Sequence, residues 1–95
     1  MKILAIEKEV EGALWNDCDA LLQQEAHHVF QLYLTDCLRE IYFTEMNGAV
    51  LILECSDAEA ANRLLAELPL VQSGKITFEV MQLKPYTGYK RIIQS

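Results

Sequence analysis

"LREIYFTEMNGAVLILEC", residues 38–55, holds two apolar runs on either side of Asn47-Gly48. Asn-Gly is a strong signal for a tight β-hairpin, because a type I′ turn needs φ > 0 at both central positions. The stretch therefore predicts strands over 38–45 and 49–55. With Asn47 and Gly48 as the two turn residues, Met46 faces Ala49, Thr44 faces Leu51, Phe43 faces Ile52, Tyr42 faces Leu53 and Ile41 faces Glu54. One hairpin face then carries Leu38, Glu40, Tyr42, Thr44, Leu51, Leu53 and Cys55. The other carries Arg39, Ile41, Phe43, Val50, Ile52 and Glu54. Both centres are mainly apolar, whereas a sheet buried on one side alternates more cleanly. A second sheet on the open face, from an identical subunit, would account for this.

Outward from the hairpin, "KILAIE", residues 2–7, reads as a strand and residues 8–16 as a loop pinned by Trp15. Residues 17–36 read as a helix capped by Asn16 or Asp17, with acidic residues in its first turn. "SDAE", residues 56–59, has the form of a capping box, Ser56 capping and Glu59 reaching back, for a helix ending near Glu67. Pro69 stops that helix, and "PLVQSGK" is a turn-rich connection. Residues 76–84 alternate as a last strand, and residues 85–95 form a tail broken by Pro85 and Gly88. The order strand, helix, strand, strand, helix, strand is the ferredoxin-like split βαβ arrangement: an α+β fold in which a four-stranded antiparallel sheet carries both helices on one face.

The 95 residues, 52% of them hydrophobic, make one domain. A net charge of −6 argues against nucleic acid and against an anionic membrane surface. The longest apolar run, Ala49–Leu53, is too short to span a bilayer, and the N-terminal stretch lacks a signal-peptide pattern. Cys18, Cys37 and Cys55 form no CxxC pair. A reduced, cytoplasmic protein is expected.

"EAHHVF", residues 25–30, is the stretch richest in reactive groups. With about 100° per residue and Cys18 at 0°, Leu22, Ala26, Val29 and Tyr33 fall at about 20–80°, a face expected to enter the core. His27 lies opposite, in solvent; His28 lies on the rim; Glu25 lies inside the apolar arc. Glu25 and His28 have a metal-ligand spacing, but di-iron bundles use Glu-x-x-His twice with further Glu ligands. One copy, with no Cys/His cluster, predicts no metal. No GxSxG, GxGxxG or Walker loop occurs, so nucleophilic catalysis and nucleotide binding have no support.

"LREIYF", "GAVLILEC", "LAELPLV" and "FEVMQLKPY" together make the chain resemble the muconolactone isomerase family, over roughly residues 25–88. The resemblance implies a dimeric α+β barrel, assembly into a homodimer or larger ring, and a tail that packs on a neighbouring subunit, which suits Tyr86, Tyr89, Ile92 and Ile93. It also implies a role in aromatic catabolism, by cofactor-independent proton transfer in a small unsaturated lactone or related acid. Family enzymes resemble this chain at Arg39 but tend to carry His and Trp where it has Glu40 and Tyr42. Two other functions fit the same barrel: a non-catalytic ligand-binding or assembly protein, and a cofactor-free monooxygenase.

Isomerisation by proton transfer needs a carboxylate or His beside a carbonyl and a donor for the enolate oxygen. A carboxylate in an apolar cleft has a raised pKa and is a better base. The candidates are Glu25, Glu40 and Glu54, with His28 as proton carrier. Arg39 could hold a substrate carboxylate and Tyr42 could donate to an oxyanion. The hairpin register groups Arg39 with Glu54 and Glu40 with Tyr42 on opposite faces. Each group also has a structural reading: an Arg39–Glu54 ion pair, Glu40 at a strand end, Glu25 at a wet helix edge, Tyr42 as a packed ring.

Overall fold

The computed structural model describes residues 1–93; the last two residues of the expected tail, 94 and 95, lie outside the described residues. The elements are β1 (Lys2–Glu9), α1 (Asp19–Leu34), β2 (Leu38–Phe43), β3 (Ala49–Glu54), α2 (Ala58–Ala66), α3 (Pro69–Gln72), β4 (Ile76–Gln82) and α4 (Lys90–Ile93). The strands form one sheet in the order β2-β3-β1-β4, with every neighbouring pair antiparallel. This is the expected ferredoxin-like α+β arrangement. Ile3 and Ala5 of β1, Leu51 and Leu53 of β3, and Ile76 of β4 are buried on the helix-bearing face. Leu32 of α1, Ala61 and Leu65 of α2, and Leu68 close the core above it. Burying each of the Ile and Leu side chains contributes about 1.5–3 kcal/mol.

The hairpin differs from expectation. Its loop has three residues, Glu45–Asn47, and Asn47 alone takes a left-handed φ of 64° while Gly48 does not. The Asn47 N–H donates to Thr44 O (2.8 Å), and the Thr44 N–H donates to Gly48 O (2.8 Å). Thr44 also decides the geometry through its side chain, whose Oγ1 accepts from the Met46 and Gly48 N–H groups at 3.2 and 3.3 Å. A three-residue loop of this kind is the next commonest hairpin connection, and Asn tolerates the left-handed position. The register therefore differs by three residues: Phe43 pairs with Ala49, Tyr42 with Val50 and Ile41 with Leu51. An odd shift exchanges faces. Ile41 and Phe43 join Ala49 and Leu51 on the helix side, and Glu40 and Tyr42 join Val50 and Ile52 on the open side. A bulge between Leu38 and Glu40 then returns Leu38 to Leu53 and leaves Arg39 as the extra residue. Arg39 and Glu54 are thus not face partners.

Three local features are corrected as well. The cap of α2 is Asp57, whose carboxylate accepts the Ala60 N–H at 2.7 Å, not Ser56. The N-cap of α1 is Cys18, not Asn16 or Asp17, and it makes no side-chain cap hydrogen bond; Asp17 lies at φ 54°. Residues 69–72 of the expected connection form a short helix, with Pro69 in its first turn, where a missing N–H costs nothing.

The largest departure is in α1. Of its residues only Leu32 is buried, while Leu22, Phe30 and Tyr33 are 45%, 53% and 58% exposed. The helix packs through another side, against α3 and β2. The apolar arc read as a core face borders an open space between helix and sheet.

Candidate functional site

That space is a cavity of about 610 Å³. Leu22, Ala26, Val29, Phe30 and Tyr33 of α1 form one wall, and Leu38, Ile41, Phe43 and Ala49 of the hairpin form the opposite wall. Trp15 and Leu70 also line it, and the polar groups that reach it are Glu7, Glu25, Arg39, Glu40 and Asn47. The shape, mostly apolar with a few converging polar groups, is that of a small-molecule site.

Glu25 enters from α1. Its Oε1 accepts the Leu70 N–H at 2.9 Å. Pro69 begins α3, so Leu70 carries one of the N–H groups left without a partner in a first turn. Glu25 satisfies it from 45 residues away in sequence. Burial raises the Glu25 pKa above the ordinary carboxylate value; the Leu70 N–H and then His28 oppose the rise.

Glu7 was not among the sequence candidates. It continues the buried face of β1 after Ile3 and Ala5. The β1–β3 ladder ends at Ile6 and Val50. The next residue on β3 is Ala49, whose backbone N–H favours the ionised form of Glu7. Burial raises the Glu7 pKa most; the Ala49 N–H opposes it, and the charges of Glu25 and Glu9 add to it. The signal was present in the sequence as a carboxylate on the apolar side of a period-2 strand.

Arg39 stands at the bulge, its Nε donating to Asp36 O at 3.1 Å. It forms no ion pair among the described residues. Glu40 reaches the edge of the cavity. It also accepts the Tyr42 hydroxyl at 2.8 Å. That hydrogen bond, and then the charge of Glu40, raises the Tyr42 pKa. The other predicted residues lie elsewhere. Glu54 pairs with Lys2 across the sheet and with the Met1 amine at 3.2 Å, away from the cavity. His28 lies in a shallow groove with His27, Gln24, Gln31 and Pro69, on another side of α1. It acts on Glu25 only through its charge.

Among the described residues no group of three or more His, Cys, Asp or Glu could hold a metal ion. No described helix is long and apolar enough to cross a membrane. All three cysteines are free thiols.

No family model matches the chain, and no curated protein does. Solved structures do. One is 5-chloro-2-hydroxyhydroquinone dehydrochlorinase from Burkholderia phenoliruptrix AC1100, in complex with 2,5-dihydroxybenzoquinone. It is 18% identical, with 93% of this chain and 98% of that chain covered and a TM-score of 0.66. Another is muconolactone isomerase, 16% identical, with 92% of each chain covered and a TM-score of 0.72. The resemblance noted in the sequence is therefore matched in three dimensions over nearly the whole chain, and the protein has the muconolactone isomerase fold.

Proposed function

We propose that the protein is a cofactor-independent enzyme that moves a proton within a small unsaturated lactone or related acid. The observation that carries this reading is Glu25: a half-buried carboxylate with a raised pKa, set in an apolar cavity of about 610 Å³. Such a group is a stronger base than an exposed carboxylate. Arg39 stands at the same cavity with no carboxylate paired to it among the described residues, which supports a role in holding a substrate carboxylate. Glu40 and Tyr42, hydrogen-bonded at the edge, supply a polar rim, and His28 tunes Glu25 from behind. The half-exposed open face of the sheet, with Tyr42 and Met81, and the exposed Tyr86 and Tyr89 of the tail support a homodimer or larger ring as the working form.

The test is a turnover screen with unsaturated lactones and small enolisable acids. Glu25→Gln should lower kcat about 10²- to 10⁴-fold, the usual contribution of a general base. Arg39→Gln should mainly raise KM, about tenfold or more, for the loss of a charged hydrogen bond. Absence of turnover with every lactone and acid in the screen refutes the reading. Calorimetric binding of a lactone without turnover would instead select a non-catalytic ligand-binding protein, which the mostly apolar lining also suits.

A further inference from the structure

Glu7 enters the cavity from the centre of the sheet, facing the space that Glu25 enters from α1. Neither forms an ion pair among the described residues. Glu25 accepts the Leu70 N–H, and the Ala49 backbone N–H favours the ionised form of Glu7. The other charged groups nearby are few. Arg39 and Glu40 reach the cavity from β2, Glu9 acts on Glu7 along β1, and His28 acts on Glu25 along α1. Two unpaired carboxylates in one apolar space repel, and the repulsion is relieved when one of them holds a proton. Their surroundings decide which one. His28 favours the ionised form of Glu25, whereas the charges of Glu25 and Glu9 oppose ionisation of Glu7. That asymmetry favours a proton on Glu7.

We infer that Glu7 and Glu25 form one acid–base unit, which meets its ligand as a Glu25 carboxylate and a Glu7 carboxylic acid. The inference rests on the proton-transfer reading of this cavity and deepens it. In an unsaturated lactone, the Glu25 carboxylate removes a proton next to the carbonyl. The C–H bond breaks, an O–H bond forms, and the electron pair enters the conjugated dienolate. The Glu7 carboxylic acid then gives its proton to the far carbon of that system, so its O–H bond breaks and a C–H bond forms. Return of the proton from Glu25 to Glu7 restores both groups, and the double bond has moved with no net gain or loss of atoms or electrons.

The experiment is a carboxyl-carbon NMR titration of glutamate-labelled protein, as wild type, Glu25→Gln and Glu7→Gln. The expected result is asymmetric. In Glu25→Gln the Glu7 titration moves down in pH, because the charge opposing its ionisation is gone. In Glu7→Gln the Glu25 titration stays near its wild-type position, because the amide mimics the protonated acid. A Glu7 titration at the same pH in wild type and Glu25→Gln overturns the inference, as does ionisation of Glu25 after Glu7. Should either variant fail to fold, the order of the two ionisations in the wild type still decides. An inactive wild type in the turnover screen would overturn the proposed reaction alone; uncoupled titrations would overturn the pair alone.

Discussion

Glu25 has a structural duty that separates from its proposed chemistry, and replacing it two ways exposes both. Its Oε1 is the acceptor for the Leu70 N–H, and Leu70 is 6% exposed. Glu25→Ala leaves that donor without a partner, which costs about 1–3 kcal/mol for a buried group. Two effects offset part of the loss. Alanine is the better helix former by a few tenths of a kcal/mol. The substitution also removes a carboxylate whose ionised form burial disfavours. A net loss of about 1–2 kcal/mol is expected at pH 7, and for a domain of this size each kcal/mol moves Tm by about 4–8 °C. Glu25→Gln keeps an acceptor oxygen and discards the charge, so it should stay within about 0.5 kcal/mol of wild type or exceed it. The assay is urea unfolding followed by far-UV circular dichroism, at one protein concentration so that any self-association cancels. If Glu25→Ala unfolds at the wild-type midpoint, the bond to Leu70 carries no stability. If Glu25→Gln is as damaging as Glu25→Ala, the carboxylate charge matters and the acceptor does not.

Other outcomes follow from named contacts. Asp57→Ala should cost about 1 kcal/mol by removing the α2 cap on the Ala60 N–H, while Ser56→Ala should change little; equal effects in a thermal melt would restore Ser56 as the cap. Both cavity carboxyls have pKa values raised in the folded state above the ordinary glutamate value. Their contribution to stability is then fully present below the unfolded carboxylate pKa and is lost as pH rises through the raised folded values. Glu7→Gln should flatten that part of the stability–pH curve, and a curve parallel to wild type in urea titrations from pH 4 to 8 would refute the assignment. Deleting residues 85–95 should lower the assembled mass in light scattering; an unchanged mass would remove the tail from the assembly.

The order of elements, the antiparallel sheet and the position of Glu25 in an apolar arc were all legible in the sequence, because period and punctuation are local properties of a chain. The first strand reads over residues 2–7 with no face assigned, although alternation from Ile3 and Ala5, buried in the structure, leads to Glu7. Helical phase found the apolar side of α1 correctly and misjudged what it meets. Periodicity reports which face avoids water; what stands opposite depends on how far α3 and β2 hold the helix from the sheet. The hairpin register also lay beyond local reading. Asn47-Gly48 suits a two-residue turn, but the Thr44 hydroxyl takes the Met46 and Gly48 N–H groups and completes a longer loop. That odd shift, with the bulge at Arg39, separates Arg39 from Glu54 and turns Ile41 and Phe43 toward α1. The chain by itself determined the fold and one carboxylate. The tertiary structure decided that two carboxylates, Glu7 and Glu25, share one cavity, because only packing brings residues from β1 and α1 to the same space.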